Sequence, residues 1–243
     1  FLAGDAIHLF TPTGGFGLNT GVDGAANLAW KLAALIQGWG GPKLKPSYES
    51  ERRPIAERNT TAARSLAKNV GVIEIRKEIE EASPAGEAAR KGAGDYLDTF
   101  GEEFASIGVQ LGVRYDGSPI ICEDGTPPRD SINCYTPSGV PGGRAPHYFL
   151  DPPGMANRRS LFDQFGIGFT LLRLSEKADS SGLIDAARRR GVPFDVVDVL
   201  DADARDLYGR DLAMIRPDQH ICWRGDRLPK DADALIAKVV GAD

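Results

Sequence analysis

The residues able to do chemistry are concentrated in one stretch, Gly4-Asp5-Ala6-Ile7-His8-Leu9-Phe10-Thr11-Pro12-Thr13-Gly14-Gly15-Phe16-Gly17-Leu18-Asn19-Thr20-Gly21. Asp5 stands where the apolar, strand-like run Phe1 to Gly4 ends, and a carboxylate there can accept hydrogen bonds from sugar-like hydroxyls. Glycines at 14, 15, 17 and 21 remove side chains, so backbone can approach a flat ligand and a helix can pack close to a sheet. The N–H groups of a helix start lack partners in their own helix, which makes Gly17 to Asn19 a site for partial or full negative charge. The alternative is a turn whose glycines serve close packing alone. The spacing is not the dinucleotide fingerprint: Gly15-Phe16-Gly17-Leu18-Asn19-Thr20 lacks the third glycine and follows a long loop.

The elements around this stretch follow from periodicity. From Val22 a helical period places Val22, Ala25, Ala26, Ala29, Leu32, Ala33 and Ile36 on one face, with Leu28, Trp30 and Leu35 on others, which predicts an internal helix ended by Gly38 to Pro42. A second helix is expected from about Pro46 to Val70, kinked or restarted at Pro54. Its Glu49, Glu51, Arg52, Arg53, Glu57 and Arg58 read as a solvated or inter-domain face. Helical patterning continues irregularly to about Gly112, and residues 116 to 143 have the Gly and Pro content of a linker. After Arg144 the expected order is strand (168–174), helix (181–190), strand (194–200), short helix (204–208), strands (212–215 and 220–223) and helix (231–240). That alternation argues for an α/β layer with a partly parallel sheet.

With 243 residues, 42% of them hydrophobic, the chain can bury one or two cores, and its net charge of -5 with no long basic run argues against nucleic acid. No apolar run is long enough for a membrane span. Three cysteines, Cys122, Cys134 and Cys222, form no C-x-x-C and no metal-ligand spacing, so no metal is expected and a cytoplasmic location fits. The first residues are apolar, with no Met and no polar lead-in, and read as a cut within a domain.

The string from Gly4 through Lys31 and Leu32 resembles the second FAD-binding motif of the aromatic-ring hydroxylases, and Tyr48-Glu49-Ser50-Glu51-Arg52-Arg53-Pro54 resembles the helix that follows it there. Gly143-Arg144-Ala145-Pro146-His147 and Arg216-Pro217-Asp218-Gln219-His220-Ile221-Cys222-Trp223-Arg224 resemble the C-terminal thioredoxin-like domain of the phenol hydroxylase branch. The resemblance implies an α/β fold: the C-terminal part of a p-hydroxybenzoate hydroxylase-like FAD domain (1–42), a helical segment (43–115), a linker (116–143) and a thioredoxin-like domain (144–243) without C-x-x-C.

It implies FAD as cofactor, NAD(P)H as co-substrate, and an aromatic small-molecule substrate hydroxylated through a flavin hydroperoxide. It also implies an N-terminal half carrying G-x-G-x-x-G as a partner of this segment, and a homodimer as an open possibility. Asp5 is expected to hold the ribityl chain and Pro12 to lie against the isoalloxazine. Backbone at Gly15, Gly17, Leu18 and Asn19 is expected to meet the pyrimidine edge, with a side chain at Gly17 obstructing the ring. No catalytic residue is assigned. His8, His147 and His220 read as packed histidines, and Asn27 as serving the helix interior or a neighbouring loop. Residues 96–115 and 119–123 lean toward simple phenols. Two alternatives stand beside this reading: a non-catalytic thioredoxin-like binding or assembly module, and a flavin monooxygenase acting on an antibiotic or polyketide.

Overall fold

The computed structural model describes residues 1–70, 74–98, 101 and 105–243, without the side chains of residues 69 and 70. Helix α1 (Phe16–Gln37) and helix α2 (Leu44–Val70) form a hairpin. Helices α3 (Pro84–Leu97) and α4 (Ile107–Leu111) follow, and then the long irregular stretch to residue 160. Strand β1 (Phe169–Arg173), α5 (Ser181–Arg189), β2 (Phe194–Asp198), α6 (Ala202–Tyr208), β3 (Leu212–Ile215), β4 (Ile221–Gly225) and α7 (Ala232–Val239) complete the chain. The sheet order is β2-β1-β3-β4, with β1 and β2 parallel and the other pairs antiparallel. The parallel pair needs a crossover, which α5 supplies. The central strands Phe-Thr-Leu-Leu and Leu-Ala-Met-Ile are buried along their length because helices or loops cover both sheet faces.

Three expectations are corrected. Residues 1–4 are not a strand: Phe1 to Ala3 are irregular and Gly4–Ala6 is a single 3-10 turn. A strand needs a hydrogen-bonded neighbour, and among the described residues none pairs with this run. Instead Phe1 sits edge-on to Tyr48 at 6.1 Å and Tyr48 Oη donates to the Leu2 carbonyl at 2.8 Å. Next, α1 starts six residues before Val22, and the predicted apolar face is largely exposed, Val22, Ala25, Ala26, Ala29 and Ile36 included. The buried stripe is Phe16, Thr20, Gly24, Asn27, Trp30, Lys31 and Ala34, with its polar members paired. Finally, α2 does not restart at Pro54 but continues through it as one helix. The part of the helical expectation on residues 71–73, 99–100 and 102–104 lies outside the described residues.

One core joins the hairpin to the sheet. Trp30 and Trp39 stack at 6.4 Å, and both meet the ring of Phe169, the first residue of β1, edge-on at 5.9 and 6.3 Å. The same cluster continues through Leu171, Met214, Leu183 and Val239, while Leu172, Ala213 and Ile215 face a second cluster on the other side of the sheet. The chain end is stitched to the hairpin turn: Gly41 N–H donates to the Val240 carbonyl (2.8 Å) and Lys43 N–H to that of Gly241 (3.0 Å). A Cβ at Gly41 would lie 2.2 Å from the Gly241 carbonyl oxygen, so backbone would have to part. Gly41→Ala is therefore expected to destabilise by ~1–3 kcal/mol, a fall in Tm of roughly 2–12 °C. Thermal unfolding followed by circular dichroism checks this, and an unchanged Tm would contradict the docking described.

Candidate flavin site and the buried cluster behind it

The glycine-rich loop ends in a 3-10 turn, Thr13–Gly15, that feeds α1 directly. Gly15 is the N-cap at φ 66°, a left-handed conformation that costs a side-chain-bearing residue about 1 kcal/mol. A Cβ there would meet nothing within 4 Å. No side chain caps the helix start, and the first N–H groups of an α-helix have no acceptor in its own i→i−4 pattern. Asn19 Nδ2 donates to the Gly15 carbonyl at 2.9 Å and ties the first turn to the loop. Asp5, Pro12, Gly15, Leu18 and Asn19 are all exposed, and the Asp5 carboxylate makes no hydrogen bond or ion pair among the described residues.

Gly17 also has a neighbour within the chain. A Cβ there would lie 3.3 Å from Phe10 Cβ, so Phe10 would have to give by a few tenths of an ångström, a packing constraint beside the one expected from the flavin ring. His8 is buried edge-on to Phe10 at 5.1 Å, with Nδ1 unpartnered. A cleft between the α1 start and the C-terminal half is lined by Gly14, Phe16, Asn19, Asp23, Arg144 and His220.

Behind the loop, α1 is held by a buried polar cluster that the sequence reading missed. Glu51, only 2% exposed, accepts from Arg216 Nη1 and Nη2 (2.7 and 2.9 Å), Lys31 Nζ (2.7 Å), Asn27 Nδ2 (2.8 Å) and Ser118 Oγ (2.6 Å). Asp218 accepts from Arg216 (2.5 and 3.0 Å), Asn27 Nδ2 (2.9 Å) and Trp30 Nε1 (3.1 Å). One turn nearer the loop, Arg52 donates to Asp23, to the Thr20 carbonyl (3.3 Å) and to Tyr115 Oη (2.9 Å), and Tyr115 stacks on His220 at 4.1 Å.

The charged stretch of α2 thus divides: Glu49, Arg53 and Glu57 are exposed, whereas Glu51 and Arg52 are buried. The signal was available in Asn27, Trp30 and Lys31, whose i, i+3, i+4 spacing puts three side-chain donors on one helix face. His147 lies at the surface, 3.0 Å from Ser160 Oγ.

The electrostatics follow from burial. Two cations face Glu51, so its carboxyl lies well below the usual range although burial alone would raise it. Lys31 is pulled down to about 8, because burial and the neighbouring Arg216 outweigh the attraction of Glu51. Asp218 is lowered by Arg216 and His220 against its own burial. His220 is lowered by burial, which outweighs Asp218; its Nδ1 lies 2.9 Å from the Asp218 carbonyl oxygen, an acceptor, so Nδ1 carries the proton.

Residues 1–63 match the FAD binding domain family and residues 138–242 the aromatic-ring hydroxylase C-terminal domain family. The chain is 37% identical to the FAD-dependent monooxygenase apdD of Emericella nidulans, covering all of this chain and 41% of that protein. It is 29% identical to phenol 2-monooxygenase of a Pseudomonas species over 98% of this chain and 44% of the relative. Among solved structures, the rebeccamycin biosynthetic enzyme RebC with reduced flavin superposes with a TM-score of 0.90 at 37% identity, over the whole chain and 45% of RebC. The chain thus spans less than half the length of the relatives it matches.

The shifts set a pH dependence. Glu51 and Asp218 bind protons less readily folded than unfolded, so their stabilisation is present above the ordinary carboxylate values of 4.5 and 3.8 and is lost as pH falls below them. His220 acts in the same direction: the unfolded chain takes up its proton first, near 6.5, so stability also declines as pH falls through that value. Tm is expected to fall steadily from pH 7 to pH 4. Glu51→Gln should lower Tm at pH 7 by roughly 6–20 °C, the equivalent of ~3–5 kcal/mol for breaking a buried pair, and flatten the acid limb. A variant with the parental Tm and acid limb would contradict this account.

Proposed function

The chain belongs to the FAD-dependent aromatic-ring hydroxylases, and from that premise we propose that it is part of a monooxygenase that places one oxygen atom of O2 on a phenolic or related aromatic ring. The observation that carries the reading is the pairing of a partner-free carboxylate at Asp5 with an uncapped helix start whose N-cap, Gly15, stands over open space. FAD suits this donor and acceptor set: a chain of hydroxyls needs acceptors, and a pyrimidine edge that gains negative charge needs N–H donors. When bound and reduced by NAD(P)H, FAD supplies the activation of oxygen.

The chain's own residues supply binding and electrostatics. Asp5 accepts hydrogen bonds from ribityl hydroxyls, and Pro12 gives the isoalloxazine a flat, donor-free wall. The backbone at Gly15, Gly17, Leu18 and Asn19 brings the positive end of α1 to the pyrimidine edge, where preorganised N–H groups stabilise charge without reorganising. Leu18 and Val22, exposed on α1, suit packing against the remainder of an FAD domain of the relatives' length. The C-terminal layer, thioredoxin-like in our reading, has a buried Cys222 with its thiol pushed up by burial, which suits packing and not thiol exchange. A cytoplasmic protein fits its three free cysteines.

A polyketide substrate is supported to a similar degree as a simple phenol: the chain is 34% identical to aklavinone 12-hydroxylase RdmE of Streptomyces purpurascens and 33% identical to 4-methyl-5-nitrocatechol 5-monooxygenase of a Burkholderia species. The test uses the full-length protein, with FAD titrated into the apoprotein and products followed from monocyclic and polycyclic phenols. Asp5→Ala removes a charged acceptor whose hydrogen bonds are worth ~1.5–3 kcal/mol, so the Kd for FAD should rise roughly 10- to 150-fold. An Asp5→Ala protein that binds FAD like the parent would overturn the site assignment, and a flavin-loaded parent that oxygenates no phenol in the panel would overturn the reaction class.

A further inference from the structure

Three stretches that stand outside the flavin loop, Asn27 to Lys31, Glu51 with Arg52, and Arg216 to His220, meet at the buried cluster. We propose that Asp218 and Arg216, on the turn between β3 and β4, are positioning residues that fix α1 along its axis and thereby set how its start meets the flavin; this rests on the flavin-site reading given above. Asn27, Trp30 and Lys31 lie on one face of α1 and donate to two carboxylates, one from α2 and one from the sheet. Arg216 bridges those two carboxylates and is fully buried. Two cations, Lys31 and Arg216, and two anions, Glu51 and Asp218, therefore balance, and sliding α1 would unpair buried charge.

The helix passes the constraint forward. Asn19 is eight residues from Asn27, about 12 Å at ~1.5 Å per residue, too short a span for a regular helix to absorb an axial shift. Arg52 reinforces it midway through Asp23 and the Thr20 carbonyl. That guanidinium packs against α1 at Gly24, where a Cβ would sit at ordinary van der Waals distance, 3.6 Å, from Arg52 Nε. Tyr115, which bonds Arg52 and stacks on His220, links this second anchor to the same β3–β4 turn.

The test is made on the full-length, FAD-loaded protein, reading the visible spectrum and midpoint potential of the bound flavin together with the Kd for FAD. Asp218→Asn leaves the cluster with one uncompensated positive charge, and Arg216→Lys breaks the two-pronged bridge. Both are expected to shift the spectrum and potential and to weaken FAD binding at least tenfold. Leu172→Ala, in the core on the far face of the sheet, should lower Tm without moving the flavin signals, which separates positioning from general destabilisation. If Asp218→Asn does not fold, Asn27→Ala takes its place, because it removes one donor and leaves both carboxylates paired with Arg216. Parental flavin signals in these cluster variants, or an equal shift in Leu172→Ala, would overturn the proposal. Asp5→Ala, run in parallel, separates the two readings: if it alone weakens FAD, the positioning role falls and the site stands, and if neither set has an effect, both fall.

Discussion

The structure depends on the burial of a neutral set of four charges, Lys31, Glu51, Arg216 and Asp218, at the point where the helical hairpin meets the sheet. Charges removed from water are tolerated only when fully paired, and here the pairing joins α1, α2 and the β3–β4 turn. That requirement dictates the rest. The buried stripe of α1 is polar where a hydrophobic pattern would place alanine and leucine, its apolar stripe lies outward, and the aromatic contacts of Trp30, Trp39 and Phe169 pack around the cluster. Hydrophobic area supplies the adhesion, and the ionic set supplies the register.

Much of the second half was legible because it obeys simple rules. The central strands are continuous apolar runs of the right length, and Asp201 and Asp231 cap the helices that follow them. The first half was harder to read for a physical reason: periodicity reports which residues are apolar, not which of them this chain covers. Val22, Ala26 and Ile36 follow a helical period yet are exposed, whereas Lys31 and Glu51 look like surface residues and are buried. Burial of a charge depends on partners far away in sequence: Arg216 lies 165 residues from Glu51, and no local window contains both.

The candidate site was legible for the opposite reason. Glycines, a loop proline and an acidic residue before a helix form a local pattern, and local patterns survive without knowledge of tertiary contacts. What the pattern left open was the reason for each glycine. Gly15 is required by its backbone conformation and faces open space, whereas Gly17 sits tight against Phe10 Cβ. Two glycines in one motif thus answer to different constraints, one set by backbone geometry and one by packing.

The seam between hairpin and sheet bears on modularity. The C-terminal layer would be treated as an exchangeable unit if the chain were divided by composition, since a Gly- and Pro-rich stretch precedes it. Its last residues, however, are hydrogen-bonded to the α1–α2 turn through Gly41 and Lys43, and its β3–β4 turn completes the charge balance of α1. A chimera grafting this layer from one relative onto the helices of another would have to inherit both sides of the seam, the acidic residue at 51 with the arginine at 216 and the bare backbone at 41 with the chain end. Recombination between such proteins is therefore constrained at residues distant in sequence, and insertions are better tolerated at the exposed loops than at residues 240–241.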